Sequence, residues 1–461
     1  MTSSWDLRLV LVKDWVNRMD INIRELAVLS LVEMEKEEVF LSQEMTAVLD
    51  KYDYMDARDK AFFKRLLSGT TERKIRIDYI LDLFSGTKVK KMKPFIRALL
   101  RTGVYQIMWM DSVPDSAVCN ESVKLAVKHK FAGLKGFVNG VLRNICRNKD
   151  KIEYPDASVD FIKYMSVFYS CPEWIVRQMD EEYGREATEN YLKASMEEKP
   201  VSVRLRCPGS QADNLIKEWM QAGITVLNNE YTDEGRFLSG VEGVANLYGF
   251  DEGLFTVQDT GSMMVAAMAG IKAGDIIMDV CAAPGGKSMH AADILCRLEK
   301  DTEAKGHVYS YDISEDRCEK ILDNIERLGI KNVSVKAADA TAFIPEMEEK
   351  ADVVIVDAPC SGLGVIGRKS DIKYRVTPED IESLHKLQRQ ILKVAVRYVK
   401  PGGKLIYSTC TVTKAENTLQ AEFIENELKL HPAKIYGEET ALQLLPGRDK
   451  SDGFFIAGFT K

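Results

Sequence analysis

One pattern repeats through the chain from Gly274 onward, in which a short apolar run is followed by a helical stretch. The apolar runs are 276–280, 308–311, 333–336, 353–356 and 404–407. Such runs are typical of a parallel sheet whose strands are buried on both faces and joined by crossover helices. Ligands of doubly wound folds bind at the carboxyl ends of the strands, so we expect the chemistry in the loops that follow these runs.

The loop after the first run is rich in small residues. It reads Cys281-Ala282-Ala283-Pro284-Gly285-Gly286-Lys287-Ser288. Small residues let the backbone approach a ligand and expose amides at a helix start, which favours a nucleotide-like cofactor. The spacing matches neither the dinucleotide fingerprint nor a phosphate loop. Taken alone, the two glycines could also form a plain structural turn.

Two aspartates follow the next two runs. Asp312 comes directly after the second run, and Asp339 lies in the matching place after the third. A carboxylate in the first place can accept hydrogen bonds from ribose hydroxyls, and one in the second can accept from an adenine amino group. Each alone could be a helix cap or a solvated turn. Together they favour an adenosine cofactor without pyrophosphate, of which S-adenosylmethionine is the common example.

The fourth and fifth runs each lead to a cysteine. Asp357-Ala-Pro-Cys360 follows the fourth run, and Ser-Thr-Cys410 follows the fifth. A buried free cysteine is usually a small hydrophobic residue, but these two occupy loops on the cofactor side of the sheet. A thiolate is a strong nucleophile when nearby charge lowers its pKa. Lys287 could supply that charge.

Two thiols suit the methylation of carbon-5 of a cytosine. Carbon-5 attacks a methyl donor only after a nucleophile has added to carbon-6, and a second group must then remove the carbon-5 proton. Asp357 could hold the ring nitrogen and amino edge of the base. The spacing leaves open whether Cys360 or Cys410 attacks.

These segments resemble the RNA (cytosine-5) methyltransferase family that includes the bacterial Sun or Fmu proteins, which modify small-subunit ribosomal RNA. Residues 281–287, 357–362 and 408–411 look like its three signatures in their usual order, and 312–317 and 338–340 are similar to its adenosine-binding segments. The resemblance implies that Cys410 attacks the base and that Cys360 assists release. The implied catalytic residues are Cys410, Cys360, Asp357 and Lys287. The implied S-adenosylmethionine-binding residues are Cys281, Ala282, Ala283, Pro284, Gly285, Gly286, Lys287, Asp312, Asp339 and Asp357.

Three residues depart from the family pattern. Relatives more often have Arg in place of Gly367 and Pro in place of Ser370, which puts the substrate contacts of that loop in question. The family commonly has Asn in place of Cys207, which we interpret as tolerated variation.

The region before residue 148 is predicted to be helical. Val10, Leu11, Trp15 and Val16 recur at helical spacing, as do Phe62, Phe63, Leu66 and Leu67. Segments 59–69 and 136–143 resemble the RNA-binding domain of the antitermination factor NusB. We therefore expect a multidomain chain with an all-α NusB-like domain over 1–147, a small α+β connector over 148–255 and an α/β Rossmann-like methyltransferase domain over 256–461.

Charge is distributed unevenly along the chain. The net charge is −7, yet residues 85–150 contain 13 Lys and Arg against four Asp and Glu. Clustered basic side chains bind phosphates by charge and counterion release, although a solvated helix face would have the same composition. The expected partner is small-subunit ribosomal RNA, either naked or in a partly assembled subunit.

Composition and the chain start favour a cytoplasmic monomer without a metal. The start lacks a basic leader followed by an apolar stretch, and no run of about 18 apolar residues predicts a membrane span. Nine scattered cysteines without a Cys-x-x-Cys pair make a disulfide framework or a zinc site improbable.

Three alternative functions share some of these motifs. A transfer-RNA cytosine-5 methyltransferase would use the same loops and differ in the helical extension. An RNA-binding assembly factor with an inactive methyltransferase domain would have lost Cys360, Cys410 or the 281–287 loop, and all are intact. A DNA cytosine methyltransferase would use the Pro-Cys cysteine as nucleophile and would continue with different motifs.

Overall fold

The computed structural model describes residues 22–241, 243–300 and 302–461. Four residues whose spacing predicts a helix lie outside this part of the chain, namely Val10, Leu11, Trp15 and Val16. Within the described residues, no helix is long and apolar enough to cross a membrane.

The described chain forms two compact units. The first runs up to Arg177 and also includes the distant segment Lys369–Tyr374. The second comprises Gln178–Arg368 and Arg375–Lys461. The chain therefore leaves the second unit once, contributes six residues to the first, and returns.

The first unit is helical, as predicted. Its helices are α1 (Ile23–Lys36), α2 (Leu41–Lys51), α3 (Ala57–Glu72), α4 (Lys74–Phe84), α5 (Pro94–Trp109), α6 (Asp115–Lys128), α7 (Lys135–Asn148) and α8 (Phe161–Phe168). They begin where the sequence supplies a cap: the Asn22 and Asp56 side chains accept hydrogen bonds from the first turns of α1 and α3. Pro94 begins α5, where its missing amide costs no hydrogen bond.

Helix α5 forms the centre of the first unit. Eleven of its 16 residues are buried, which is the pattern of a helix surrounded by others. The buried Gln106 amide donates to the Thr102 carbonyl at 3.0 Å, and its oxygen accepts from Arg24 Nε at 2.7 Å. The amide nitrogen and oxygen of Gln106 are therefore hydrogen-bonded although the side chain is shielded from water.

The segment Lys369–Tyr374 is integrated into the first unit through hydrogen bonds. Asp371 accepts from the Leu41 amide at 2.7 Å. The Tyr374 hydroxyl lies 2.8 Å from the Glu72 carbonyl oxygen and 2.9 Å from the Ser170 carbonyl oxygen. This short segment thus satisfies backbone groups of the helical unit.

The second unit begins with a small antiparallel sheet. Its strands are β1 (Val201–Leu205), β2 (Thr225–Asn228), β3 (Gly235–Ser239) and β4 (Phe255–Val257), in the order β2-β3-β1-β4. The flanking helices are α9 (Glu173–Tyr183), which crosses the boundary between the units, α10 (Arg185–Ser195) and α11 (Gly209–Gln221). The predicted strand over 201–206 is β1. The division of the whole chain at 147 and 255 stays a prediction.

The large sheet contains the five predicted strands. Its strands are β5 (Ile276–Asp279), β6 (His307–Asp312), β7 (Val333–Ala337), β8 (Ala351–Asp357), β9 (Val399–Thr409), β10 (His431–Pro432), β11 (Ala441–Leu444) and β12 (Phe454–Thr460). Its helices are α12 (Thr260–Met268), α13 (Gly286–Leu298), α14 (Glu315–Leu328), α15 (Pro378–Tyr398) and α16 (Thr418–Asn426). The predicted Rossmann-like α/β fold is confirmed.

The order of the strands creates a switch point at the centre of the large sheet. The path runs β10-β12-β9-β8-β5-β6-β7, with β5 to β9 parallel and β12 antiparallel to β9. After β5 the chain crosses over to β6 and then to β7, which both lie on one side of β5. It then returns to form β8 on the other side of β5. A crevice opens where the order reverses, between the loops that follow β5 and β8.

A buried charged cluster joins the small sheet to α13. The fully buried Arg204 of β1 pairs with Asp293 of α13 at 2.9 Å, and His290 Nε2 lies 3.1 Å from Glu234 Oε2. Burial, followed by the charge of Arg204, lowers the pKa of His290 to about 4. Burial acts to raise the pKa of Glu234, but the hydrogen bond to His290 and the nearby cations lower it to about 2.

We predict that His290 makes the second unit sensitive to acid. A histidine whose pKa falls from 6.5 in the unfolded chain to about 4 in the folded protein stabilises the fold above about pH 6.5. That stability, of about 3 kcal/mol, is lost as the pH falls to 4. The free energy of unfolding, measured by urea denaturation from pH 7 to 4, should decline less steeply for His290→Gln. The same substitution at the exposed His431 is the control, and equal slopes for both variants and the parent would contradict the prediction.

Candidate active site

The predicted site residues all follow parallel strands of the large sheet. The loop 281–287 follows β5, Asp312 ends β6, and Asp339 lies two residues after β7. Asp357 ends β8, and Cys410 directly follows β9. Since parallel strands end at one edge of the sheet, five separate segments of sequence meet there.

The two cysteine thiols lie in contact. The Sγ atoms of Cys360 and Cys410 are 3.3 Å apart, and both side chains are partly buried. The hydrogen bond to Cys410, then burial, then the charges of Cys410, Glu416 and Asp357 hold the pKa of Cys360 well above its usual range. The Cys360 thiol therefore keeps its proton in this arrangement.

Lys287 and Asp357 form an ion pair beside the thiols. Lys287 Nζ donates to Asp357 Oδ2 at 2.6 Å, and the Ser408 hydroxyl donates to Asp357 Oδ1 at 2.8 Å. Burial lowers the pKa of Lys287, but the charges of Asp357, Asp279 and Cys410 more than offset it, and the net shift is upward. Lys287 therefore stays a cation, and its charge favours a thiolate at Cys410.

The glycine turn after β5 has a shape that only glycine permits. Gly285 has φ +101°, and a β-carbon there would lie 2.6 Å from Met289 Cε and 2.9 Å from Ile321 Cγ2. Gly285 caps α13, which begins at Gly286. The backbone can thus turn sharply into the helix and present the amides of its first turn to a ligand.

Asp312 is held in place beneath the same turn. Its carboxylate is buried and accepts from the Ala283 amide at 2.8 Å and the Ile313 amide at 2.9 Å. Arg317 Nε lies 2.6 Å from Asp312 Oδ1. The neighbouring Ile313 is an exposed apolar side chain, 68% accessible.

Asp339 lies at the end of the adjacent strand and is exposed. The Thr341 amide and hydroxyl both donate to Asp339 Oδ1, at 2.8 and 2.7 Å. The amide hydrogen bond, followed by the hydroxyl, lowers the pKa of Asp339. The carboxylate is therefore ionised at neutral pH, and the two hydrogen bonds from Thr341 fix its orientation.

The residues around the turn fit S-adenosylmethionine. Acceptors at Asp312 and Asp339 suit ribose hydroxyls and an adenine amino group, and the exposed Ile313 offers an apolar surface for a flat base. Burial, and then the charges of Asp279, Asp357 and Asp312, raise the pKa of the Cys281 thiol, which stays neutral. Carboxylates around this loop favour the positively charged sulfonium and ammonium groups of the cofactor.

Sequence reasoning missed four residues of the site. The fully buried Asp279 accepts from Ser288 at 2.7 Å, and burial raises its pKa to about 6 despite that hydrogen bond and the Lys287 charge. Ile313 follows Asp312 directly, and Glu416 and Asn417 follow Cys410 by six and seven residues. Asp279 and Ile313 could have been found from the sequence, because each lies close to the predicted end of a strand.

The three residues that depart from the family pattern differ in their surroundings. A β-carbon at Gly367 would lie 3.2 Å from Lys199 Cε and 3.4 Å from Ser195 Cα. Ser370 is buried, whereas Cys207 is half-buried with its pKa raised by burial. A larger side chain at Gly367 would thus require Lys199 to move.

The geometry agrees with what comparison with known proteins finds. The family model described as 16S rRNA methyltransferase RsmB/F matches residues 266–460, and the NusB family model matches residues 21–147. A Bacillus subtilis protein described as "Probable ribosomal RNA small subunit methyltransferase B" is 31% identical over 457 residues, covering 95% of this chain and 99% of the relative. The chain belongs to the RsmB/F family of 16S ribosomal RNA methyltransferases.

Solved structures support the fold of this RsmB/F family member. The structure titled "Crystal Structure of PH0851" has a TM-score of 0.78 and 24% identity, covering 96% of this chain and 100% of that one. NSun6 from Pyrococcus horikoshii, solved with the S-adenosylmethionine analogue SFG, has a TM-score of 0.55 and 24% identity, covering 63% and 98%. The predictions of a NusB-like domain and of S-adenosylmethionine as cofactor are confirmed.

The loop after Cys360 depends on a close contact between two glycines. The Gly364 amide donates to the Cys410 carbonyl at 3.1 Å, and the Gly453 amide donates to the Gly364 carbonyl at 2.8 Å. A β-carbon at Gly364 would lie 2.1 Å from the Gly453 carbonyl oxygen and 2.7 Å from the Cys410 carbonyl oxygen. These are backbone atoms, which cannot swing aside as a flexible side chain does.

We predict that Gly364→Ala displaces the loops of this RsmB/F methyltransferase. The forced backbone shift should cost about 1–3 kcal/mol of stability and lower the methylation rate. The matched control is Gly140→Ala, since Gly140 lies within α7 with open space where a β-carbon would go, and alanine there should add about 0.5–1 kcal/mol. Thermal unfolding measures the change in stability, and a methylation assay measures the change in rate. Parental activity in Gly364→Ala would show that the close contact between Gly364 and Gly453 is not important for the site.

Proposed function

We propose that this enzyme methylates carbon-5 of a cytosine in 16S ribosomal RNA through a covalent bond between Cys410 and carbon-6. The observation that carries the proposal is the 3.3 Å separation of the Cys360 and Cys410 sulfurs at the ends of adjacent strands, beside the Lys287–Asp357 pair. Two thiols this close can act on neighbouring atoms of one base.

The reaction needs a nucleophile and a base in turn. The Cys410 thiolate adds to carbon-6, and the electron pair of the 5,6 double bond moves so that carbon-5 becomes nucleophilic. S-adenosylmethionine supplies the methyl group to carbon-5. A base then removes the carbon-5 proton, the double bond re-forms, and the carbon–sulfur bond breaks to return the Cys410 thiolate.

We assign proton removal to Cys360. Once Cys410 is bonded to the base, the hydrogen bond and the charge of Cys410 that raise the pKa of Cys360 are lost, so the Cys360 thiol can release its proton to solvent and then act as the base. Lys287 stabilises negative charge at Cys410 before attack and after release. Asp357, oriented by Lys287 and Ser408, has remaining lone pairs for the amino edge of the cytosine.

We assign cofactor binding to the loops after β5, β6, β7 and β8. The amides of the 281–287 turn would hold the methionine end, Asp312 the ribose and Asp339 the adenine amino group. Asp357, at the end of β8, would complete this set of cofactor-binding residues. The support is the glycine geometry, the hydrogen bonds that orient the two aspartates and the exposed Ile313 next to Asp312.

RNA docking by the NusB-like region belongs to the same proposal. Lys88, Lys90, Lys91 and Lys93 are all exposed in the described helical unit. Exposed lysines close together in sequence can neutralise several phosphates of one RNA strand. We propose that this region delivers either naked RNA or a partly assembled subunit to a monomeric enzyme.

We predict that Asp312→Ala weakens S-adenosylmethionine binding by about 10- to 100-fold, because loss of a hydrogen bond to a charged group costs about 1.5–3 kcal/mol. Calorimetry on the purified enzyme measures this directly. Asp316→Ala, at an exposed carboxylate four residues away, is the control. Equal affinity for Asp312→Ala and the parent would show that the ribose assignment is wrong.

We predict that the two cysteine variants fail in different ways. Cys410→Ala should form no covalent bond to RNA, because carbon-6 then meets no nucleophile. Cys360→Ala should accumulate the bond, because attack and methyl transfer proceed while proton removal is blocked. A denaturing gel with radiolabelled 16S RNA and cofactor shows the adduct as a shifted protein band.

The exposed Cys296→Ala is the control for loss of a thiol, and the double variant Cys360→Ala/Cys410→Ala should show no band. A band for Cys410→Ala with none for Cys360→Ala would make Cys360 the nucleophile and reverse the assignment.

A further inference from the structure

Two adjacent side chains, Glu416 and Asn417, are completely buried near the cysteines without touching the cofactor loops. Each has a relative exposure of 0%. Burying a carboxylate is costly unless hydrogen bonds or a cation compensate it. The side chains that donate hydrogen bonds to Glu416 therefore indicate what this residue does in the site.

Glu416 binds the loop that carries Cys360. Its Oε1 accepts from the Ser361 amide at 2.8 Å, and its Oε2 accepts from the Ser361 hydroxyl at 2.6 Å. The Thr413 hydroxyl donates to Oε2 at 2.7 Å, and Gln388 donates to Oε1 at 3.3 Å. Ser361 is the residue directly after Cys360, so Glu416 fixes the backbone from which that thiol projects.

Asn417 binds both residues that flank Cys410. Its Oδ1 accepts from the Thr409 hydroxyl at 2.5 Å, and its Nδ2 donates to the Thr411 carbonyl at 3.1 Å. The same Nδ2 donates to Gln443 Oε1 at 2.7 Å. One amide side chain therefore holds the side chain of the residue before Cys410 and the backbone of the residue after it.

We infer that Glu416 and Asn417 are positioning residues for the two thiols, with Asn417 serving attack by Cys410 and Glu416 serving proton removal by Cys360. This inference rests on the proposed function. Because the two residues are adjacent in the chain, they couple the Cys360 loop to the Cys410 loop through one rigid turn. Cys360 lies three residues beyond the end of β8, so the strand alone does not fix its position. The close approach of the two sulfurs therefore depends on the hydrogen bonds of both Glu416 and Asn417.

The experiment separates attack from release with an RNA that contains 5-fluorocytidine at the target. After attack and methyl transfer, carbon-5 carries fluorine in place of a proton. Fluorine cannot leave as a cation, so the adduct is trapped, and its rate of formation reports attack and methyl transfer without release. The same enzyme on ordinary RNA reports release, because an adduct accumulates there only when proton removal is slow.

Asn417→Ala should slow adduct formation on the fluorinated RNA by about 100-fold, the effect of a displacement of about 1 Å. Glu416→Gln should form that adduct at the parental rate and accumulate an adduct on ordinary RNA. Glu299→Gln is the matched control, since Glu299 is also buried and accepts from the Gly274 and Gly306 amides, at the opposite ends of the strands. It should behave as the parent in both assays.

Calorimetry with S-adenosylmethionine first identifies variants that retain the fold. Thr409→Val removes the hydroxyl hydrogen bond to Asn417, and Ser361→Ala removes the hydroxyl hydrogen bond to Glu416. These variants replace Asn417→Ala or Glu416→Gln if either fails to bind cofactor. Equal slowing of attack and release in both variants, or parental behaviour in both, would overturn the inference. If the parent itself forms no trapped adduct, or Cys410→Ala still does, the proposed function fails instead.

Discussion

The parallel pairing of β8 with β9 is the constraint on which the site depends. It places Asp357 opposite Ser408, so the two strands end side by side and their loops start from neighbouring points. The Ser408 hydroxyl then reaches Asp357, and the two thiols come within 3.3 Å of each other. A shift of one residue in this register would turn every side chain of one strand to the other face and separate the pair.

Much of this arrangement could be predicted from sequence because buried parallel strands have a distinctive pattern. The run at 353–356 is entirely apolar and the run at 276–280 has a single polar residue, Asp279, a pattern that identifies strands covered on both faces. Once strand ends are known, the residues that follow them share one edge of the sheet. Cys360, Cys410 and Lys287 could therefore be grouped without knowing any distance.

The remaining features depend on contacts that leave no local pattern. Glu416 and Asn417 precede a helix and resemble an ordinary polar turn, and nothing in sequence shows that Ser361, 55 residues away, supplies the hydrogen-bond donors. Likewise, His290 lies on α13, whereas its partner Glu234 directly precedes β3 of the small sheet. Such groups become visible only when burial shows that water cannot satisfy them.

The six residues Lys369–Tyr374 have a consequence for how this chain can be divided. They interrupt the catalytic unit and complete the helical one, where burial lowers the pKa of Lys373 to about 8. A fragment ending at Arg177 would leave the amide of Leu41 without its acceptor Asp371. The two units are therefore interwoven along the polypeptide, and a single cut cannot yield both of them intact.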